Sequence, residues 1–255
     1  LLDSVDSDQH TPLSHAIISG NLPAALSLLS HDASSNVPCG NEPALITAVK
    51  AKQFQLAIAL LDHSADPNAL GPNHESALFL LLESQQQQQS SYDAHQFPVI
   101  ESLALELISH GAIPDLYSTN LFPQRSTLAQ CCHWHMWKCV HKLCELKTAD
   151  AMQVFADGTT PLHQAVMSSA PGDVIKAVLA LPNRVNCLDS KGFTALHYAS
   201  TAEAVYHLLK QGADVNAVSS KGTPLDTITS DEASLALLLY SPALKLTTTS
   251  NGVFI

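Results

Sequence analysis

At 255 residues the chain is long enough for one or two globular domains with a substantial core. Hydrophobic residues make up 46% of it and aromatics only 5%, a balance of small aliphatic side chains that suits close-packed helices. A formal net charge of −11, from 12 Lys and Arg against 23 Asp and Glu, speaks against nucleic acid and anionic membrane surfaces, which both need a basic face.

The opening LLDSVDSDQH has neither a basic n-region nor a long apolar stretch, so no signal peptide is expected. A first residue of Leu, not Met, leaves room for an upstream address or domain. No run of about 18 apolar residues follows anywhere, so no membrane insertion is expected. Cysteines stand at 39, 131, 132, 139, 144 and 187. Four crowd into one stretch instead of spreading as a disulfide framework, which predicts reduced thiols and a cytoplasmic location.

From Thr11 a six-residue block recurs along the chain: TPLSHA (Thr11), PALITA (Pro43), SALFLL (Ser76), STLAQC (Ser126), TPLHQA (Thr160), TALHYA (Thr194) and TPLDTI (Thr223). The intervals are 32, 33, 50, 34, 34 and 29 residues. Thr or Ser at the head of a block predicts a helix cap, and Pro in second place suits the first helical position, where no amide is needed. Apolar pairs downstream, Leu28–Leu29, Leu60–Leu61 and Leu208–Leu209, predict a second, antiparallel helix. Loop signals follow, as in HSADPNALG (63–71), HGAIPDL (110–116) and QGADVNA (211–217). One such unit cannot bury its apolar face, but a stack can.

These residues resemble the ankyrin repeat, most closely in DSKGFTALHYA (189–199) with HLLKQGADVN (207–216) and in DGTTPLHQA (157–165). The resemblance implies an all-α solenoid of helix–turn–helix pairs with protruding turn tips and a concave face that binds other proteins. It covers roughly residues 6–240, read as one domain over 1–240 of about seven repeats. The long interval predicts an inserted loop, placed at 83–98 within ESQQQQQSSYDAHQFPVIES (83–102), between the two helices of the third repeat. Its Gln run reads as a loop or as an extension of the first helix. The same interval holds an enlarged turn, YSTNLFPQR (117–125), which would project Phe122 and Arg125 towards a ligand. The sixth repeat is three residues short between its helices, the seventh is similarly short and caps the stack, and residues 241–255 form a C-terminal tail.

The segment CCHWHMWKCVHKLC (131–144) would head any search for a metal site or a nucleophile. Register assigns it otherwise. Cys131 falls where other repeats have Ala16, Ala48, Ala165 and Ala199, and Cys132 where they have Ile17, Val49 and Val166. Cys139 takes the first core position of the second helix, and Leu143–Cys144 replaces the leucine pair. All four read as small core hydrophobes, with a zinc site or a reactive thiol as the competing readings. His133 and Trp134 differ, because they occupy the two helix positions that the family pattern turns towards the groove. The matching pairs are Ile18–Ser19, Lys50–Ala51, Glu83–Ser84 and Met167–Ser168. The turn tips add His10, Glu42, Glu75, Arg125, Thr159 and Phe193. His163 and His197 belong to the TPLH-type motif and are implied to tie down the turn. Asp157, His163 and Ser168 could be drawn as a catalytic triad, but no nucleophile elbow or phosphate-binding Gly loop accompanies them.

The expected function is therefore non-catalytic recognition of a partner protein by a monomer, through a groove centred on His133 and Trp134, with no cofactor and no metal. Degenerate, His-rich and Lys-poor ankyrin repeats also resemble those of bacterial effectors, which implies a host protein as partner and the host cytosol as location. The competing expectation is a targeting or substrate-recognition module cut from a larger multidomain enzyme.

Overall fold

The computed structural model describes residues 2–8, 10–86, 97–115, 126–182 and 185–241. The chain falls into two compact units, Leu1–Pro123 and Gln124–Ile255. The centre of the inserted segment (87–96), the enlarged turn with Phe122 and Arg125, and the tail beyond Ser241 lie outside the described residues.

The N-terminal unit holds helices α1 (Pro12–Ile18), α2 (Leu22–Leu29), α3 (Ala44–Lys50), α4 (Phe54–Asp62), α5 (Ala77–Gln86) and α6 (Phe97–Ser109). Each odd helix packs on the even helix after it; α1, α3 and α5 then stack on one another, as do α2, α4 and α6. Two short antiparallel strands, β1 (Pro38–Cys39) and β2 (Glu42–Pro43), form the turn before α3, with Pro38 opposite Pro43 and Cys39 opposite Glu42. Glu83–Gln86 continue α5, and residues 97 and 98 already belong to α6, so both ends of the segment expected as a loop are helical.

The C-terminal unit repeats the arrangement with α7 (Thr127–His133), α8 (Trp137–Leu146), α9 (Pro161–Met167), α10 (Gly172–Leu179), a 3-10 helix (Ala195–Tyr198), α11 (Ala202–Lys210), α12 (Pro224–Thr227) and α13 (Asp231–Tyr240). The first-layer members α7, α9, the 3-10 helix and α12 pack in succession, and α8, α10, α11 and α13 do the same. Among the described residues no helix is long and apolar enough to cross a membrane.

Local chemistry explains these short helices. Thr11, Thr160, Thr194 and Thr223 each form a capping box, in which the residue three places on bonds back to the cap's amide. Ser76 and Ser126 accept from the amides of Phe79 and Ala129. Pro43 breaks the pattern: it stands at the N-cap itself and supplies no side-chain bond. Where the sixth and seventh units are short, the first helix loses its last turn. Ala199 and Ile228 follow it in extended conformation, with ψ of 126° and 120°, where α1 ends on a helical Ser19. Between the two helices of the longer units the chain turns through one left-handed residue: Gly20, Lys52, His135 and Ser169, with φ from 52° to 70°. Only the first is glycine, so the tertiary packing imposes this conformation on ordinary side chains.

Successive units are tied by asparagines at one register. Asn36 donates to the Ser64 carbonyl and accepts from the Asp66 amide, at 3.1 and 2.8 Å. Asn68 makes the same pair with Gly111 and Ile113, and Asn186 with Gly212 and Asp214. The turns approach closely enough that Gly158 (φ 80°) has no room for a side chain, since a Cβ there would lie 2.6 Å from the Ser190 nitrogen.

Candidate protein-recognition surface

The four clustered cysteines are buried, Cys131, Cys132 and Cys139 completely. Burial pushes the Cys144 and Cys39 thiols up to about 11 and raises Cys132 further still. Enclosed thiols are core material, and none of the four belongs to a group of three or more donors close enough to share an ion among the described residues. The triad drawing also fails. His163 Nδ1 accepts from the Thr160 amide, and its Nε2 donates to the Phe193 carbonyl of the next unit at 3.1 Å. Both nitrogens are committed to structure. Asp157 is equally occupied, accepting from the amide and hydroxyl of Thr159.

What remains outward-facing follows a rule of position. At the end of α1, Ala16 and Ile17 are buried and Ile18 is 52% exposed; at the end of α9, Ala165 and Val166 are buried and Met167 is 46% exposed. The same buried–buried–exposed order ends α3 at Lys50 and α7 at His133. In each case the expected pair is the last helical residue and its C-cap. Glu83 is half-buried, because α5 runs on past it. Trp134 is half-buried too, with the His133 ring edge-on to it at 4.8 Å. Its indole Nε1 is enclosed and has no acceptor among the described residues.

The turn tips divide. His10 and Glu42 are partly exposed, but Glu75 (6%), Thr159 (2%) and Phe193 (6%) are buried, contrary to the expectation that all of them face a partner. The reasons are local. Lys50 binds Glu42 of its own repeat and reaches Glu75 of the next, at 2.6 and 2.7 Å. Burial opposes the charge on each member, yet the ion pairing outweighs it, leaving Lys50 above and Glu75 below their ordinary values. Thr159 turns its hydroxyl inward to Asp157 and receives the Gln164 amide. Phe193 stacks on His197 and meets Tyr198 edge-on.

The turn carboxylates complete the geometry. Asp189 accepts from the Lys191 and Phe193 amides and from the Tyr198 hydroxyl. Burial pushes its carboxyl up, but these three donors together hold it below the usual value. Asp6 plays the same part in the first turn and is drawn down to about 2, chiefly by the His10 amide and then by His15.

The helix pairs, TPLH-type caps and carboxylate-braced turns all belong to one repeat, and the family model described as ankyrin repeats (3 copies) matches residues 1–71 and 128–219. The chain belongs to the ankyrin repeat family. Among solved structures it resembles the ankyrin repeat domain of human ASB11, at 21% identity and a TM-score of 0.56, covering 92% of this chain and 100% of that one. It also resembles the ankyrin repeat domain of Bcl-3, described as a unique member of the IkappaB protein family. There the identity is 24% and the TM-score 0.56, with 91% of this chain and 100% of that one covered. At these identities the likeness speaks for the fold. Ankyrin repeats are generally protein–protein interaction modules, typically without catalytic activity.

In the sequence the ADPN and ADVN segments read only as loop signals, whereas the structure makes the asparagines at this register a ladder between turns. The recurrence of Asn at the end of that segment, at 36, 68, 186 and 216, is the signal that could have found it.

Proposed function

We propose that this ankyrin chain is a non-catalytic recognition module that holds a partner protein against the ends of its first-layer helices, with His133 and Trp134 as principal anchors. The domain is read as about seven repeats over residues 1–240. One observation carries the reading: the buried residues at these helix ends are interchangeable small hydrophobes, whereas the exposed residue that follows is Ile18, Lys50, His133 or Met167. A constant scaffold thus presents a variable surface, as recognition requires. Trp134 adds a large aromatic surface and a donor with no acceptor among the described residues, which would suit a partner's carbonyl or carboxylate. Glu42, His10 and the accessible part of Lys50 supply polar contacts in the N-terminal unit. Thr159, Phe193 and Glu75 serve from beneath, fixing the turns.

The test is a quantitative pull-down from eukaryotic lysate with three chains: wild type, a His133→Ala, Trp134→Ala double variant, and Glu145→Ala on the exposed face of α8. We expect a protein retained by wild type and Glu145→Ala but lost by the double variant, with Trp134 alone contributing about 2 kcal/mol or more. Equal retention by all three chains would remove His133 and Trp134 from the site. Retention of nothing would count against recognition itself.

A further inference from the structure

We propose that Asp6, His10 and His15 form a binding site for a divalent transition-metal ion of the zinc type on the turn that leads into α1. Among the described residues, this is the one group of three or more His, Cys, Asp or Glu donors whose ligand atoms all lie within 4.8 Å of one another.

The group is built, not incidental. Asp6 Oδ1 accepts from the Asp8 and His10 amides, both at 2.9 Å, and the Asp6 amide donates to the His10 carbonyl. These bonds fix the carboxylate and leave Oδ2 pointing at His15 Nε2, 2.6 Å away. His15 stands on α1, and the His10 ring lies 5.3 Å from it, centroid to centroid, at 62°.

A second turn shows what the scaffold requires without a metal. Asp189 has partners at the same offsets, four and nine residues on, and they are Phe193 and Tyr198. The Tyr198 hydroxyl bonds to Asp189 Oδ2, and the two rings meet edge-on at 5.3 Å. Bracing the turn therefore needs one donor and one hydrocarbon ring. The first turn places an imidazole at both offsets, giving two nitrogen ligands beside an oxygen ligand. Access differs as well: Phe193 is buried, whereas Asp6 and His15 are exposed and His10 is partly so.

Two imidazoles and a carboxylate are a normal three-ligand set for zinc, with N and O at about 2.0–2.2 Å and a fourth position left for water or a partner's donor. Binding would exchange the His15–Asp6 hydrogen bond for two metal bonds, opening the pair from 2.6 Å to the ~3.3 Å separation of neighbouring ligands on tetrahedral zinc. His15 then carries its proton on Nδ1. The ion would clip the turn to α1 and stabilise the first helix pair by linkage. Copper and nickel share this ligand chemistry, so zinc serves as the probe and not as a claim of selectivity.

The experiment uses the full chain without an affinity tag, stripped with chelator and titrated calorimetrically with zinc chloride. His10→Ala removes one ligand at a turn tip; His15→Gln keeps a donor to Asp6 while removing the imidazole. We expect one equivalent bound by wild type and affinity lowered at least about tenfold in each variant. Zinc should raise the melting temperature of wild type and of neither variant, each compared with its own metal-free form. Cobalt in place of zinc should show no thiolate charge-transfer band. No zinc binding by wild type, unchanged binding in His10→Ala, or a thiolate band that places the ion on the cysteines would each overturn the site.

Discussion

His163 shows how one side chain serves two repeats. Its Nδ1 closes the cap of α9, and its Nε2 reaches the backbone of the following turn. This works only for a neutral imidazole, and burial holds both His163 and His197 below the ordinary value of 6.5. Just below that pH the unfolded chain binds more protons than the folded one, so stability is full above 6.5 and falls as the solution is acidified. Asp189, held below 3.8, adds a further loss in stronger acid. Denaturant titrations at about pH 7.5 and about pH 5.5 should give a lower midpoint at the acid end, with a smaller difference in His163→Gln. A midpoint that rises on acidification would contradict the assignment. The cysteines allow a second check at this scale. Five of the six are buried and only Cys187 is partly open. A thiol reagent added to native protein should modify Cys187 rapidly and the remaining five at the rate of unfolding. Fast reaction within 131–144 would return that segment to the list of functional sites.

At the scale of the element, the recurring blocks are legible because capping is local chemistry. Thr, Pro and the residue at the third helical position lie within one turn, so six letters suffice to place a helix start. The burial of Cys131 and Cys132 was readable for the same reason, since register alone sets which face of a short helix is inside. Phe193, Thr159 and Glu75 were not readable. Whether a turn tip is buried depends on the neighbouring turn, about 30 residues away in sequence, as when Lys50 reaches Glu75 or His163 reaches Phe193. The asparagine ladder depends on such distant pairing too. Asn36→Ala removes two bonds between successive turns and should cost about 1–2 kcal/mol, measured by urea unfolding. No measurable loss would mean that water replaces both bonds without cost.

At the scale of the molecule, each of the two compact units stacks its own helix pairs and so turns short-range order into an ordered surface. Each helix pair is too small to fold alone, and its neighbours supply the missing face. The same logic separates the variable residues from the recurring geometry, because the stack buries the pair before them and leaves their own side chains exposed, even where Lys50 is ion-paired to Glu42 and Glu75. Sequence could place Ile18, Lys50, His133 and Met167 at one register through the helix period. It could not show that the chain divides into two compact units, because the 50-residue interval carries no periodic signal of its own. The net charge of −11 makes copies of the chain repel one another, an effect screened by salt.

Partners are expected to bind the ends of the first-layer helices, and hydrogen–deuterium exchange with a captured partner is the decisive measurement. Protection should appear at residues 131–134 and 165–168, and the outer helices α8 and α10 should exchange as in the free chain. Protection confined to α8 and α10, with 131–134 unchanged, would rule out these helix ends and move the site to the opposite layer.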